Sequence, residues 1–184
     1  MDQEVIYQSV SKIRPYDRIE AQHKEDALRW IRSGVELRRL EKPATPPKHL
    51  VSYSVLLDPK VNALLLVDHK QAQLWLPPGG HVELGEHPLE TAQRELREEL
   101  NTSLALVQKD PVFLTVTETV GLTAGHVDVS LWYVFAADSS VELRYDRTEF
   151  NAVQWFPLDG LPLSRTDPHL SRFCEKLSKS NIQQ

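Results

Sequence analysis

Three glutamates in one short stretch have the types and spacing to hold a doubly charged cation. Glu95, Glu98 and Glu99 stand at i, i+3 and i+4. On a helix, at 100° per residue, they project within an arc of about 100°. Leu89, Ala92, Leu96 and Leu100 fill the adjoining sector and can pack on a sheet. Like charges at i, i+4 destabilise an isolated helix by a few tenths of a kcal/mol per pair, and Arg94 and Arg97 give only partial relief. A divalent ion turns that repulsion into coordination. Oxygen ligands of this kind suit Mg²⁺ or Mn²⁺, whereas Zn²⁺ favours His or Cys. Mg²⁺ also shares its coordination sphere with substrate phosphates. Gly79 and Gly80 precede this segment. Glycine lets backbone approach a ligand closely, so their carbonyls can add oxygen ligands and their amides can face phosphate. Glu86 lies eight residues before Arg94, a separation at which an arginine on the helix can hold it by a bidentate pair and fix the loop.

The order Gly80, five residues, Glu86, seven residues, then Arg94-Glu95-Leu96-Arg97-Glu98-Glu99 resembles the Nudix box, G-x5-E-x7-R-E-U-x-E-E-x-G-U with U apolar. Across Gly80–Thr102 the sequence departs from it only at Asn101 and Thr102, which stand where the pattern has glycine and an apolar residue. Asn is tolerated in the left-handed conformation that ends many helices. The resemblance implies an α/β fold, the Nudix α/β/α sandwich with a mixed sheet, and hydrolysis of a pyrophosphate bond in a nucleoside diphosphate derivative. It further implies that Glu98 and Glu99 bind metal directly and that Glu95 either binds metal or orients and deprotonates water. The Gly79 or Gly80 carbonyl would complete the shell, with Glu86 and Arg94 as a structural brace. Because this family often takes its general base from outside the box, Glu118 is retained as a catalytic candidate and Glu149 is comparable. Glu83, within the box, is a further acid. His81 can point into the site, and Asp128 beside His126 can face the metal or act as a distal base, but these are read first as ordinary polar or structural positions. Trp75, just before the glycine turn, is the aromatic expected to border the substrate pocket. The other strand aromatics (Phe113, Trp132, Tyr133 and Trp155) are read as core.

The elements that must position these residues are legible in outline. Arg18–Ser33 reads as a helix, with Asp17 as N-cap and Gly34 as stop. The prolines of residues 42–48 break it and form a linker or crossing segment. His49–Leu57 and Ala63–Asp68 form a candidate hairpin around Asp58-Pro59-Lys60. Leu74–Leu76 is a short strand ended by Pro77-Pro78-Gly79-Gly80. Pro88–Leu100 is the best helix, with Pro88 in its first turn. Strands follow at 112–120, 127–136 and 153–156, then a helix at 168–179 in which Cys174 packs inward. The expected organisation is an N-terminal helical extension with linker over 1–47 and the Nudix domain over 48–184.

Composition narrows the function classes. The chain has 184 residues, 41% of them apolar, with a net charge of −5. That is enough apolar content for a packed core. The acidity argues against a broad grip on nucleic-acid backbone. Apolar runs fall far short of the ~18 residues of a membrane span, and no signal-peptide pattern opens the chain. One cysteine cannot form an intrachain disulfide. The expectation is a cytoplasmic monomer or homodimer acting on a small nucleotide, slightly favouring a nucleoside triphosphate, possibly oxidised, cleaved to a monophosphate and pyrophosphate. ADP-ribose or a nucleotide sugar is the alternative substrate. A non-catalytic nucleotide-binding module is the alternative of another class.

Overall fold

The computed structural model describes residues 3–180 apart from 43, 121 and 123. Among the described residues four α-helices, α1 (Gln3–Lys12), α2 (Arg18–Arg32), α3 (Pro88–Leu100) and α4 (Leu170–Lys179), surround an eight-stranded mixed sheet. Its strands are β1 (Lys48–Asp58), β2 (Ala63–His69), β3 (Leu74–Leu76), β4 (Gly79–His81), β5 (Ala105–Leu106), β6 (Phe113–Glu118), β7 (Val127–Ala136) and β8 (Phe150–Pro157). Among the described residues, no helix is long and apolar enough to cross a membrane.

β1 organises the sheet. It runs parallel to β7 in continuous register from Lys48↔Val127 to Leu57↔Ala136. Its first half also pairs antiparallel with β4, and its end with β2. The expected hairpin is real but brief, holding only Leu57↔Leu64 and Asp58↔Ala63 before β2 turns away to pair with β3 and β8. Strand alternation sorts the core. Leu131, Tyr133 and Phe135 of β7 join a cluster with α1, α2 and α3. Trp132 and Val134 face the cluster built on Leu170, Phe173 and Leu177 of α4. Phe113, Trp132 and Tyr133 are core, as their strand positions suggest.

The segment before β1 differs from its reading as a single helix and linker. α1 lies outside the sequence expectation; its Ile6 and Val10 are fully buried, but so short a stripe is a weak signal. Part of the proline segment is hydrogen-bonded, with the Thr45 carbonyl accepting from the amides of Leu40 and Glu41. Asp17 caps α2 by accepting from the Glu20 amide at 2.8 Å. It also binds Arg172 of α4 through Nε at 2.8 Å and Nη2 at 2.6 Å. This double engagement holds the Asp17 carboxyl down at about 2, chiefly through Arg172.

Asp17→Asn tests this contact. Asn still caps a helix but cannot form the ion pair. A depressed carboxyl pKa stabilises the fold above the unfolded value and loses that contribution as pH falls through the folded one. We expect the variant to melt below the wild type at pH 7. The gap should shrink between about pH 4 and pH 2, measured by circular dichroism. A gap that is constant with pH would show that the pair contributes nothing.

Candidate metal and phosphate site on the carboxylate helix

α3 is positioned at both ends by its own sequence. His87 caps it, its Nδ1 accepting from the Leu89 amide while Glu90 accepts from the His87 amide, and Pro88 follows at the first helical position. Asn101 takes the left-handed conformation, φ 49°, and ends the helix as expected of the residue replacing glycine. Ser52 and Ser54 of β1 tie the helix to the sheet, donating to the carbonyls of Pro88 and Ala92. Ala92, Leu96 and Leu100 are buried, which leaves Arg94, Glu95 and Glu98 turned toward the cleft.

Arg94 is the hub. Nε donates to Glu86 Oε1 at 2.8 Å and Nη2 to Glu86 Oε2 at 3.1 Å. Nη1 donates to Glu95 Oε1 at 2.8 Å and Glu98 Oε2 at 2.9 Å. Glu86 also accepts from Thr91 Oγ1, and the Arg94 guanidinium beside it holds its carboxyl below the usual range. Arg94 in turn is pushed up, first by Glu86.

The glycine segment is not an open turn. Gly79 and Gly80 belong to β4, paired with Tyr53 and Ser52. A run of two prolines and two glycines carries no strand signal, so β4 exists through its pairing and not through its propensity. The Gly79 amide donates to Glu99 Oε2 at 2.9 Å. Glu99 is only 4% exposed. Burial pushes its carboxyl well above the ordinary range, and the charges of Glu95 and Glu149 add to this. Burial likewise raises Glu95 to about 7, against the pull of Arg94, with Glu98 and Glu149 repelling it further. Two neighbouring carboxyls that resist ionisation, one of them exposed to almost no water, fit a site completed by a hard cation.

The two glycines are required for different reasons. A Cβ on Gly80 would lie 2.2 Å from Glu95 Oε1, the movable end of a side chain. A Cβ on Gly79, at φ 151°, would lie 2.1 Å from the Ser52 carbonyl oxygen, which is fixed backbone. We expect Gly80→Ala to fold with a stability loss of about 1 kcal/mol, yet to displace the Glu95 carboxylate and cost about 10² in turnover. Gly79→Ala is expected to lose about 3 kcal/mol or more. Paired melting curves and steady-state rates check both. Equal activity of Gly80→Ala and the wild type would remove Glu95 from the machinery.

These groups line one wall of a cleft of about 1180 Å³. Arg39, Lys42 and Lys70 bring positive charge to it, and Leu40, Leu84, Val120 and Leu122 give it an apolar rim. Glu118 lies on the cleft wall, exposed, at the end of β6. Glu149, in the loop before β8, also lines the cleft, and its charge acts on both Glu95 and Glu99. Trp75 is a correction. Leu74 and Leu76 face the cleft, and strand alternation turns Trp75 to the other side, edge-on to Phe156 at 5.1 Å and against the α4 core. Its side chain does not border the pocket.

Other titratable groups in the cleft stood out less in the sequence. Asp167 is buried on the wall and raised by that burial to about 6. His81 is lowered to about 3, by burial first and then by Arg39. His126 is lowered by burial. Arg39 and Lys70 carried no sequence signal because the chain brings them to the cleft only through its long-range pairing.

The chain is similar in sequence and fold to known proteins. The NUDIX domain family model matches residues 47–177. The asymmetrical bis(5'-nucleosyl)-tetraphosphatase of Sus scrofa is 34% identical over 121 residues, covering 60% of this chain and 77% of that protein. The uncharacterised Nudix hydrolase YvcI of Bacillus subtilis is 29% identical over 118 residues, covering 61% of this chain and 72% of that one. Among solved structures, a C. elegans Ap4A hydrolase binary complex aligns with a TM-score of 0.58 at 18% identity, over 70% of this chain and 94% of that one. The MutT Nudix hydrolase of Burkholderia pseudomallei aligns with a TM-score of 0.54 at 24% identity, over 70% and 96%. These two likenesses show the fold. With the matched span covering most of the chain and the box acids gathered around Arg94, the chain belongs to the Nudix family and is a Nudix hydrolase.

Proposed function

We propose that this hydrolase cleaves a pyrophosphate bond in a nucleoside polyphosphate, with Mg²⁺ or Mn²⁺ held by Glu95, Glu98, Glu99 and the Gly80 carbonyl. The observation that carries the reading is the single guanidinium of Arg94 joined to Glu86, Glu95 and Glu98, beside a Glu99 fixed by the Gly79 amide. When bound, such an ion polarises phosphoryl oxygens and lowers the pKa of bound water. The protein's own part is positioning. Arg94 fixes the direction of Glu95 and Glu98, and the Glu86 pair holds the loop between β4 and α3 against the helix. Glu95 accepts from Arg94 through Oε1, which leaves its second oxygen to hold the ion or to orient water beside it. Glu149 is the better-placed distal acceptor than Glu118, because its charge reaches Glu95 and Glu99. Arg39, Lys42 and Lys70 supply positive charge for the phosphate chain.

The cleft supports a substrate with two nucleoside ends. It exceeds the ~300–1000 Å³ that usually takes one compact ligand, and its apolar rim offers contacts for a base. The Sus scrofa relative is named for a dinucleoside tetraphosphate. We therefore place dinucleoside polyphosphates ahead of the single triphosphate that the sequence alone slightly favours. A hydrolysis screen with Mg²⁺ and with Mn²⁺ tests this, using dinucleoside polyphosphates, canonical and oxidised triphosphates, ADP-ribose and nucleotide sugars. The highest kcat/KM should fall on a dinucleoside polyphosphate, with two unequal nucleotides as products. A higher value for a triphosphate or ADP-ribose would replace the substrate. Tight binding without turnover across the panel would make the chain a nucleotide-binding module.

A further inference from the structure

A second group of ligand-type side chains adjoins the same cleft, three of them lining it and one buried behind, and is not part of the carboxylate helix. His49 on β1, His81 on β4, and His126 with Asp128 at the start of β7 converge where these three strands lie side by side. His49 and Asp128 are register partners, and His81 is opposite Val51, so the pairing alone puts all four on one face. One ligand atom from each lies within 4.8 Å of all the others. About Asp128 Oδ1, the Nε2 atoms of His126, His49 and His81 stand at 3.3, 3.4 and 3.9 Å.

Among the described residues, two atoms at the centre of this group find no hydrogen-bond partner. One is Nε2 of the completely buried His49, the other the buried Asp128 Oδ1. They face each other at 3.4 Å without the alignment of a hydrogen bond. Leaving such groups unpaired opposes folding, because each has given up water without gaining a partner. The outer nitrogens, by contrast, are engaged. His49 Nδ1 lies 2.8 Å from the Pro46 carbonyl oxygen, which can only accept, so the proton sits on Nδ1 and the Nε2 lone pair points inward. His126 Nδ1 lies 3.2 Å from Thr119 Oγ1, whose hydroxyl donates to the His126 carbonyl, and the same logic frees its Nε2. An outer hydrogen bond that fixes the tautomer is the usual setting of a metal-binding imidazole. Four-coordinate bonds of about 2.0–2.1 Å place ligand atoms roughly 3.3 Å apart. The His49 and His126 spacings to Asp128 Oδ1 already match this, and the remaining pairs, within 4.8 Å of one another, close by at most about 1.5 Å around the ion.

We propose that His49, His81, His126 and Asp128 bind one borderline divalent cation of the zinc class, separate from the hard-cation site on α3. Three imidazoles and one carboxylate select Zn²⁺ or Co²⁺ over Mg²⁺. The ion satisfies the two orphaned atoms and ties β4 to β1 and β7, so it steadies the strand that carries Gly79 and Gly80. Arg39 competes with it. Its Nη1 lies 3.4 Å from His81 Nε2 and must swing aside when that lone pair is taken.

The test uses the full chain, freed of metal with a chelator and kept in excess Mg²⁺ to fill the hard-cation site. Zn²⁺ is added and binding is read by calorimetry. Co²⁺ is added separately and read by its visible absorption. We expect one Zn²⁺ per chain, a Co²⁺ spectrum of a four-coordinate nitrogen-containing site, and a rise in melting temperature. Glu98→Gln should leave this uptake intact. His126→Ala and Asp128→Asn, each checked for folding by circular dichroism, should weaken it at least about 100-fold. Arg39→Ala should tighten it. Uptake abolished by Glu98→Gln but unchanged in His126→Ala and Asp128→Asn would assign the Zn²⁺ to the carboxylate helix and overturn the proposal. No uptake by the folded wild type would overturn it as well.

Discussion

Glu98→Gln and Glu99→Gln are expected to remove metal-dependent turnover, by about 10² to 10³ or more each, while shifting the stability of the metal-free protein differently. Glu98 is well exposed, and its carboxylate accepts from Arg94. An amide there keeps an oxygen for Arg94, so the melting temperature in chelator should stay within a degree or two. Glu99 is buried against the Gly79 amide, beside Glu95 and Glu149. A raised carboxyl pKa means that the folded state holds its proton more tightly than the unfolded chain. Above the folded value the forced charge opposes folding, and below the unfolded value the penalty vanishes. Glutamine removes the charge and still accepts from Gly79. Glu99→Gln in chelator should therefore melt above the wild type at pH 8, with the advantage fading toward pH 4.5. Both variants should lose the stabilisation that Mg²⁺ gives the wild type. Unchanged turnover in Glu98→Gln sinks the metal reading. A lower melting temperature for Glu99→Gln at pH 8 would show that its carboxylate is held ionised by something other than a metal.

The second large effect concerns the contact between the N-terminal helices and the last helix. Glu20 of α2 is completely buried and accepts from Lys176 Nζ of α4 at 2.7 Å. Its other oxygen accepts from the Tyr16 amide at 2.6 Å. Burial raises the Glu20 carboxyl and lowers the Lys176 ammonium, the Glu20–Lys176 hydrogen bond opposing each shift. A buried pair of this kind adds little over an apolar replacement, but removing one partner strands the other charge and costs about 3–5 kcal/mol. Lys176→Met should therefore lower the melting temperature by on the order of 10 °C, at about 2–4 °C per kcal/mol. Adding Glu20→Gln removes the stranded charge and keeps an acceptor for Tyr16, so the double variant should recover at least half of that loss. Equal destabilisation of the single and double variants would show that the effect is packing and not charge.

Local chemistry was readable where one residue decides it. Asp17 caps α2, Asn101 ends α3 in the left-handed region, and Pro88 opens it. The faces of α3 follow from periodicity, so the gathering of Glu95, Glu98 and Arg94 could be anticipated from spacing. What could not be read depends on pairing between distant segments. β4 has no strand propensity of its own and is made by β1. Trp75 sits beside the glycines in sequence, but alternation along β3 sends it to the opposite face. His49, His81 and His126 look unrelated along the chain and meet only because β4 and β7 flank β1. Glu149 and Glu118 are comparable in sequence, and it is the course of the loop before β8 that brings the Glu149 charge to bear on Glu95 and Glu99.

The link between Glu20 and Lys176 spans 156 positions. During synthesis at about 5–20 residues per second, roughly 10–30 s pass between the emergence of the two residues. Throughout that interval α2 carries an acidic group that the finished protein shelters completely, while the ammonium meant to pair with it does not yet exist. The apolar faces of the first helices belong to the cluster that β7 and α3 complete, so they can settle on the sheet before α4 is made. The last helix then brings the missing cation to a seat that is already formed.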